Sequence, residues 1–552
     1  MRKRLLIIAS VLGLAFTAGA QSALEAYQLS QPGLYGTARF MGMGGAFGAL
    51  GGDMTTLSFN PAGIGVYRSS EIGATVNLEF QNSSMDFASQ SVGKNNTKFM
   101  MNNAGYIGAA RLNNAVMPNF NWGFTYNRRA SFNRKYSGYA SSIPNSMSNY
   151  IAGVANNNNL TVANVTTTDK FDPYFPNDGG YAAPWVTILG YDSYLISPTG
   201  QDQDTRWHGL YGDGTTGSAA INVIEEGGID EYNIAFGGNF GNIVYWGMDF
   251  GITDLNFTRR SLYAEKLSNA YVGEGGSIVR SDADWDMYSY YNVGGTGFNY
   301  KLGLIFKPIQ ELRLGFAFHT PTWYSLTEYF YADTNYKYPQ AESIRPGSAV
   351  TAGGYDGMND FNMRTPWRFI ASAAGVIDEK MIVSMDVDWM GMQYMHLSSP
   401  GYNSSIWGDS DLNEANDPYY YANKDIKDYY KTSITFRAGV EYRLSRNFSL
   451  RAGYAHVSEP VKSAAKNNET TIYTSANNMD PSYSFDNTQE YVTVGLGYHY
   501  KHFYLDAAYV YSHKSSDWHA FTPDPAAPAN SGLQGKLTDN RSQAVVSLGF
   551  RF

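Results

Sequence analysis

Apolar and polar residues alternate along much of this chain. From Ile72 the run Ile72, Ala74, Val76, Leu78 and Phe80 interleaves with Gly73, Thr75, Asn77 and Glu79. The C-terminal run does the same, with Ala544, Val546, Leu548, Phe550 and Phe552 set against Gln543, Ser547, Gly549 and Arg551. Successive side chains of a strand point to opposite faces, so each run has one apolar and one largely polar face. The same test places strands near 72–80, 99–112, 120–129, 231–240, 243–260, 287–306, 312–328, 364–376, 381–396, 431–444, 447–459, 488–500, 503–516 and 541–552, fourteen in all. Short joints (Asn113–Asn119, Gly241-Asn242, Pro308–Glu311, Ile377–Lys380, Ser445-Arg446, Lys501-His502) alternate with long polar loops. Strands of about 9–11 residues with short turns on one side and long loops on the other predict an all-β, transmembrane antiparallel barrel. A soluble two-sheet sandwich also alternates, but it would not keep Trp, Phe and Tyr on the apolar face through so many strands.

The N-terminus fits an exported protein. Arg2, Lys3 and Arg4 precede an apolar run from Leu5 to Phe16, and Ala18-Gly19-Ala20 follows. That is the pattern of a signal peptide over 1–20, with a mature chain expected from Gln21 and no cysteine there to carry a lipid. No later segment holds the run of about 18 apolar residues that a membrane helix needs. Charged residues make up only 16% and aromatics 15%. A large soluble protein carries about a quarter charged residues, so the deficit points to a lipid-facing surface.

Charge and cysteine content remove further classes. Net charge is −9, and loss of Arg2, Lys3 and Arg4 leaves −12, which argues against nucleic-acid binding. The acidity is expected on solvated loops that face lipopolysaccharide through divalent cations. Without cysteine there are no disulfides or thiolate metal sites. No metal ligand set and no cofactor site is identified. Gly93-Lys94 and Gly535-Lys536 lack the surroundings of a phosphate loop.

Residues 21–70 do not alternate and precede the first strand of a barrel expected over 71–552. They are too few for a domain with a large core of its own. A fourteen-stranded barrel leaves a lumen that side chains alone cannot fill, so this segment is expected to plug it. Within it, Gly36-Thr-Ala-Arg39, Met41-Gly-Met-Gly-Gly-Ala-Phe47, Ala49-Leu-Gly-Gly-Asp53 and Leu57-Ser-Phe-Asn-Pro-Ala-Gly63 resemble the N-terminal hatch of the FadL/TodX outer-membrane transporters. Asn60, Pro61, Ala62 and Gly63 are the most specific part of that resemblance. It implies a monomeric, fourteen-stranded outer-membrane channel for passive uptake of hydrophobic compounds, long-chain fatty acids first; the count of six short turns and seven long loops puts both ends on the short-turn, periplasmic side. It also implies a kinked strand that lets substrate leave sideways. The terminal Phe552 resembles the signal that such barrels present to their insertion machinery.

Candidate ligand contacts follow from chemistry. Phe40, Met41, Met43, Phe47, Leu50, Leu57 and Phe59 give the hatch an apolar surface, and flexible Met side chains suit an adaptable pocket. In the long loop over 130–230, Trp185, Ile188 and Leu189 lie in an unusually apolar stretch, Tyr181 to Pro198. That stretch either captures ligand or forms a small core that folds the loop over the barrel mouth. A carboxylate would meet a lumen cation, and Arg111, Arg129, Lys301 and Arg313 are the first candidates, with Arg437, Arg443 and Arg551 behind them. Many of these cations are expected to pair with Glu79, Asp249, Asp386, Asp388, Glu441 or Asp506.

Rival functions remain open. A barrel hydrolase lacks a Gly-x-Ser-x-Gly elbow, and the eight His are scattered, so the chain is read as no enzyme. A receptor for haem or another large ligand is the main alternative, with His208 or His456 as possible iron ligands. An open porin would lack the apolar hatch, and an adhesive barrel would bind no ligand.

Overall fold

The computed structural model describes residues 22–552, apart from 88–89, 113, 115, 177–182, 201–205, 275–276, 401–417, 468–471, 473, 475–478 and 523–531. The signal-peptide reading over 1–20 and Gln21 therefore fall outside the described residues, as do Tyr181 and Ala182.

Fourteen antiparallel strands close into a barrel. They are β1 (Glu71–Phe87), β2 (Gln90–Arg111), β3 (Asn119–Ser131, continued by Arg134–Ala140) and β4 (Thr216–Phe240). Next come β5 (Val244–Glu274), β6 (Ser277–Phe306), β7 (Leu312–His319 and Trp323–Lys337) and β8 (Gly357–Arg364 and Arg368–Ile377). The circuit continues with β9 (Met381–Gly391 and His396–Ser398), β10 (Thr432–Arg443), β11 (Phe448–Val457) and β12 (Tyr483–Tyr500). It ends with β13 (Phe503–His519) and β14 (Gln534–Arg551). β14 pairs with β1 from Glu71↔Arg551 to Asp86↔Lys536, which closes the ring. Closure is what a sheet in hydrocarbon requires, because an open edge would leave backbone groups without partners.

The strand count and the six short joints agree with the alternation, but the strand lengths do not. β5 and β6 run for 31 and 30 residues, far beyond the lipid-facing stretch. On β1 the outward residues change from Ile72, Val76 and Phe80 to Asn82, Ser84 and Asp86, while the inward ones change from Asn77 and Glu79 to Met85 and Phe87. The strand keeps its phase and the environment inverts. Above the membrane the outer face meets water and the inner face packs a core of Phe257, Tyr263, Trp285 and their neighbours. A search for apolar-out, polar-in alternation therefore stops at the inversion. Two expected long loops, between β1 and β2 and between β5 and β6, are instead tall hairpins. The loop expected over 130–230 shrinks to 141–215, because both of its ends belong to strands.

The hatch fills the lumen with α1 (Ala23–Ser30), α2 (Ala38–Gly42), α3 (Thr56–Phe59) and a 3-10 turn over Pro61–Val66. Ser22 caps α1 in a capping box with Glu25, and Thr37 caps α2. The expectation that both ends lie at the short-turn rim holds for the C-terminus, where Phe552 exchanges backbone hydrogen bonds with Ser70 at 3.0 Å. It fails for α1. Tyr27 stacks on Tyr430 at 4.7 Å and its hydroxyl donates to Asp486 at 3.0 Å, so α1 lies at the long-loop end. Its apolar face finds its burial in the loop core.

That core is a cap built from the long loops. The 141–215 loop folds into α4 (Met147–Asn157), α5 (Val162–Val165) and α6 (Trp185–Asp192). Glu265 on β5 accepts the Ser146 hydroxyl at 2.5 Å and the Met147 amide at 2.9 Å, fixing the start of α4. Between β9 and β10, α7 (Tyr420–Tyr429) packs against α1 and against the outer piece of β9. There the Asn423 side chain accepts from the Leu397 amide and donates to its carbonyl, both at 2.8 Å, in place of a neighbouring strand. Burial and the nearby Asp428 push the Asp425 carboxyl on α7 up to about 7. A docked carboxyl that resists ionisation is a penalty that grows as pH rises through the ordinary carboxylate range and levels off above about 7. Docking of α7 should therefore loosen between pH 5 and pH 8. Amide exchange across 420–430, corrected for intrinsic rates, should show more opening at pH 8 in the parent protein. Asp425→Asn should flatten that dependence.

Candidate functional site

The site is the hatch and the cavities that it leaves. Wall and hatch meet backbone to backbone, at glycines. A Cβ on Gly453 of β11 would lie 2.2 Å from the Gly44 nitrogen, and one on Gly439 of β10 would lie 2.4 Å from the Met43 oxygen. At Gly247 of β5 it would lie 2.1 Å from the Pro61 oxygen, and at Gly303 of β6, 2.0 Å from Asn60 Oδ1. Such distances exclude any side chain on the wall at these points.

The hatch is largely non-helical, so its buried backbone groups need partners. Polar lumen residues supply them. Asp386 accepts the Phe47 and Gly48 amides at 2.9 and 3.0 Å. Ser547 Oγ accepts the Ala38 amide at 2.7 Å, and Thr493 Oγ1 donates to the Gly42 carbonyl at 3.0 Å. Asn121 donates to the Ile64 and Tyr67 carbonyls, at 2.7 and 3.0 Å.

The motif residues sit at the centre of this anchoring. Asn60 caps the 3-10 turn through Oδ1, which accepts the Ala62 amide at 3.1 Å, and its Nδ2 donates to the Gly48 carbonyl at 2.5 Å. Pro61 occupies the first position of the turn, where its missing N–H costs nothing. Ala62 packs against Tyr245 and Ile305, and the Gly63 carbonyl accepts the Gly52 amide at 3.1 Å.

Phe40 and Phe59 meet edge to face at 5.5 Å and open onto a cavity of about 80 Å³. Met41, Met43, Phe47 and Leu50 pack with wall residues Ala317, Ile370 and Tyr491, and Leu57 packs with Met54, Ile64 and Ile107. In the cap, Trp185, Ile188 and Leu189 belong to the loop core, with Trp185 edge-on to Phe330 at 4.9 Å.

The four carboxylate candidates separate. Arg129 borders the hatch cavity, 3.7 Å from Glu231 and donating to the Ser58 carbonyl at 3.4 Å. Lys301 is buried between Glu231 at 2.9 Å and Asp249 at 2.7 Å. Arg313 donates to the Leu50 carbonyl at 2.6 Å, so it anchors the hatch. Arg111 was expected to face the lumen; it is exposed, because β2 ends at the short-turn rim there and its side chain leaves the barrel. Of the others, Arg551 pairs with Glu71 at 2.6 Å, Arg443 is exposed at the strand end, and Arg437 reaches Asp388 at 3.0 Å.

Arg368 is the residue that the alternation missed. With Arg437 it shares Asp388, through contacts of 2.5 to 3.0 Å, and the two guanidinium groups lie 5.3 and 5.2 Å from the centre of the Phe59 ring. Its phase was readable, two residues past Pro366 and on the face opposite Phe369.

Three cavities follow the hatch. One of about 150 Å³ lies beneath the cap, bordered by Arg134, Arg259, Asp486, Lys514 and Arg541. The Phe40–Phe59 cavity continues it, and a third of about 70 Å³ reaches the wall at Thr320, Thr322, Thr365 and Pro366. Gln31 and Pro32 border all three.

Removing Asn60 Nδ2 strands a buried carbonyl and uncaps a turn, at a cost of about 1–3 kcal/mol. Asn60→Ala should therefore raise small-solute conductance in planar bilayers while the barrel keeps its heat-modifiable mobility. Unchanged conductance would remove Asn60 from the anchor. Gly453→Val should raise conductance further, since its side chain would overlap the hatch backbone.

Comparison with known proteins gives three findings. The sequence profile of the outer membrane protein transport protein family (OMPP1/FadL/TodX) matches residues 247–552. Among solved structures, the chain is similar to a Pseudomonas aeruginosa FadL homologue at 11% identity and TM-score 0.49, covering 94% of this chain and 99% of that one. It is also similar to the P. putida toluene transporter TodX (11% identity, TM-score 0.46, 95% and 99% covered). The Ralstonia pickettii toluene transporter TbuX gives 12% identity and TM-score 0.46, with 95% and 100% covered. No curated protein matches the sequence. The profile spans more than half of the chain, and the protein belongs to the OMPP1/FadL/TodX family of outer-membrane transporters of hydrophobic compounds.

Proposed function

We propose that this channel takes up long-chain fatty acids passively, by capture under the cap and transfer past the hatch. The observation that carries the reading is the Phe40–Phe59 cavity, where an apolar aromatic pair meets Arg129, Arg368 and Arg437. An apolar chain gains about 0.8 kcal/mol per buried methylene, and a carboxylate gains charge-assisted hydrogen bonds from a guanidinium. A monoaromatic hydrocarbon, the substrate named for TodX, would leave those cations unused.

The cap supplies the first station, a cavity lined by Tyr27, Phe132 and Phe257 beneath the loop core that Trp185, Ile188 and Leu189 help to build, and Met41, Met43, Phe47, Leu50 and Leu57 support the second. The exit lies at the wall break that the third cavity reaches. There Pro321 on β7 and Pro366 on β8 stand opposite each other, neither with an N–H to pair, between Trp323↔Arg364 and His319↔Arg368. Each cavity is smaller than the roughly 300–1,000 Å³ of a ligand pocket, so passage needs the hatch to move.

The haem-receptor alternative gains no support. His456 lies 3.6 Å from Glu490, and His208 Nδ1 lies 3.1 Å from the Gly209 carbonyl. Among the described residues, no group of three His, Asp or Glu could hold a metal ion.

A competition titration on refolded protein with oleate, toluene and haemin tests the assignment. Oleate should saturate, and Phe59→Ala with Arg437→Gln should weaken it by about tenfold or more, equivalent to about 1.4 kcal/mol. Haemin binding alone would overturn the reading. Toluene binding equal to oleate and indifferent to Arg437 would move the substrate to the aromatic class.

A further inference from the structure

Three neighbouring turns of the short-turn rim hold cations without ionic partners. Lys380 closes the β8–β9 turn, Arg443 and Arg446 belong to the β10–β11 turn, and Lys501 opens the β12–β13 turn. Backbone hydrogen bonds of 2.8 Å join the three into one arc, from the Arg443 amide to the Lys380 carbonyl and from the His499 amide to the Asn447 carbonyl. All four residues are exposed. Among the described residues none of the four is ion-paired, and Lys501 lies 5.4 Å from the centre of the Tyr500 ring. The carboxylates of the arc stand at its ends. Asp378 and Glu379 precede Lys380, and the chain terminus at Phe552 follows Arg551, whose amide donates to the His502 carbonyl at 2.8 Å.

The rim runs against the charge of the chain, which is −9. Taken from the last residue of one strand to the first of the next, the six short joints carry Arg111, Lys307, Lys380, Arg443, Arg446 and Lys501. Against these six cations stand three acids, Glu311, Asp378 and Glu379. Toward the long loops, Arg128, Arg260 and Lys266 face Asp230, Glu226 and Asp284 at 3.0, 2.7 and 3.2 Å. The arc also borders the lipid-facing band. Leu444, Phe448, Tyr500 and Phe503 point outward beside its cations, each more than half exposed. Phe448 packs on Tyr498 at 4.9 Å and Phe503 on Phe550 at 4.7 Å. An aromatic girdle of this kind marks the level of the headgroups.

We infer that this arc binds the headgroups of net-anionic phospholipids in the leaflet on the short-turn side. Acyl chains lie along the girdle, and the phosphates meet Arg443, Arg446 and Lys501. Charge complementarity selects net-anionic lipid, because each Lys or Arg near a membrane surface attracts it, whereas a zwitterionic headgroup brings its own cation. Guanidinium forks match phosphate oxygens in pairs. Continuity with the girdle selects a lipid over an acidic protein, because the side chains next to these cations face hydrocarbon. Apolar residues on one side of the headgroup layer and cations within it then hold the barrel at a fixed depth.

Native mass spectrometry of the refolded full barrel tests the site, with release from micelles that contain equal amounts of dioleoyl phosphatidylglycerol and dioleoyl phosphatidylcholine. Phosphatidylglycerol should be retained in preference to the chain-matched zwitterionic lipid. The triple variant Arg443→Gln/Arg446→Gln/Lys501→Gln should lower its retention by about tenfold or more. Lys94→Gln/Lys266→Gln/Lys337→Gln removes the same charge from exposed positions toward the long loops and should retain the lipid like the parent. Heat-modifiable mobility establishes that each variant is folded. Equal retention of the two lipids by the parent, an unaffected rim variant, or an equal loss in both triple variants would overturn the inference.

Discussion

A strand has only two faces, and a continuous barrel strand such as β1 or β6 must serve lipid, lumen, water and cap with one unbroken phase. On β6 the outward set passes from Phe306, Leu304, Leu302, Tyr300 and Phe298 to Thr296, Asn292, Asp286 and Asp284. The inward set passes from Gly303, Lys301 and Asn299 to Tyr291, Met287 and Trp285 over the same length. Polar inward residues in the membrane zone hold the hatch, and apolar inward residues above it hold the cap. One inversion of the alternation thus divides the barrel into a hatch-filled, charge-laced lumen and a conventional apolar core on top of it.

That division explains why the lumen carries so many buried charges. Burying ion pairs is costly unless geometry and further hydrogen bonds compensate. Here the lumen charges have a second task, because the hatch brings irregular backbone into the barrel. Asp386 accepts two hatch amides on one oxygen, Oδ2, Arg313 reaches a hatch carbonyl, and His319 contacts the Phe59 carbonyl at 2.7 Å. Glu441 bridges wall and hatch between Arg451 at 2.7 Å and Arg39 at 2.9 Å. A hatch held by polar contacts can separate from the wall and be rehydrated. An apolar interface of the same area would hold more firmly.

The alternation showed the architecture because lipid imposes it. All fourteen strands and the six short joints were visible in the outward residues, but the change of phase on β7 across Pro321 was not. The strand tops were hidden, since Asn82, Ser84 and Asp86 continue β1 with the opposite preference. The wall glycines carry a further signal: Gly247, Gly303, Gly439 and Gly453 each mark a point where hatch backbone touches the wall. Their recurrence in the inward phase of four strands was the signal. Arg111 shows the converse limit, since phase alone does not say where a strand ends. α1 could not be placed by sequence at all, because its neighbours Tyr430 and Asp486 lie some four hundred residues away.

The placement of α1 bears on how a closed route can open. α1 belongs to the cap, while α2, α3 and the 3-10 turn are tied to the wall. Between them runs the segment from Gln31 to Gly36, and its first two residues border all three cavities. Its polar contacts run to the wall and not to the rest of the hatch: Gln31 to Asp486 at 3.0 Å and Lys514 at 3.4 Å, the Gly33 amide to the Arg129 carbonyl at 2.8 Å, the Tyr35 hydroxyl to Glu79 at 2.8 Å, and Asn102 to the Gly36 carbonyl at 3.4 Å, while Leu34 packs in the hatch core. Shifting this segment would merge the three spaces without disturbing Asn60, Asp386 or the wall glycines. The anchored part of the hatch can then stay in place as a seal against small solutes, and the step that admits a hydrophobic compound falls to a strap of six residues.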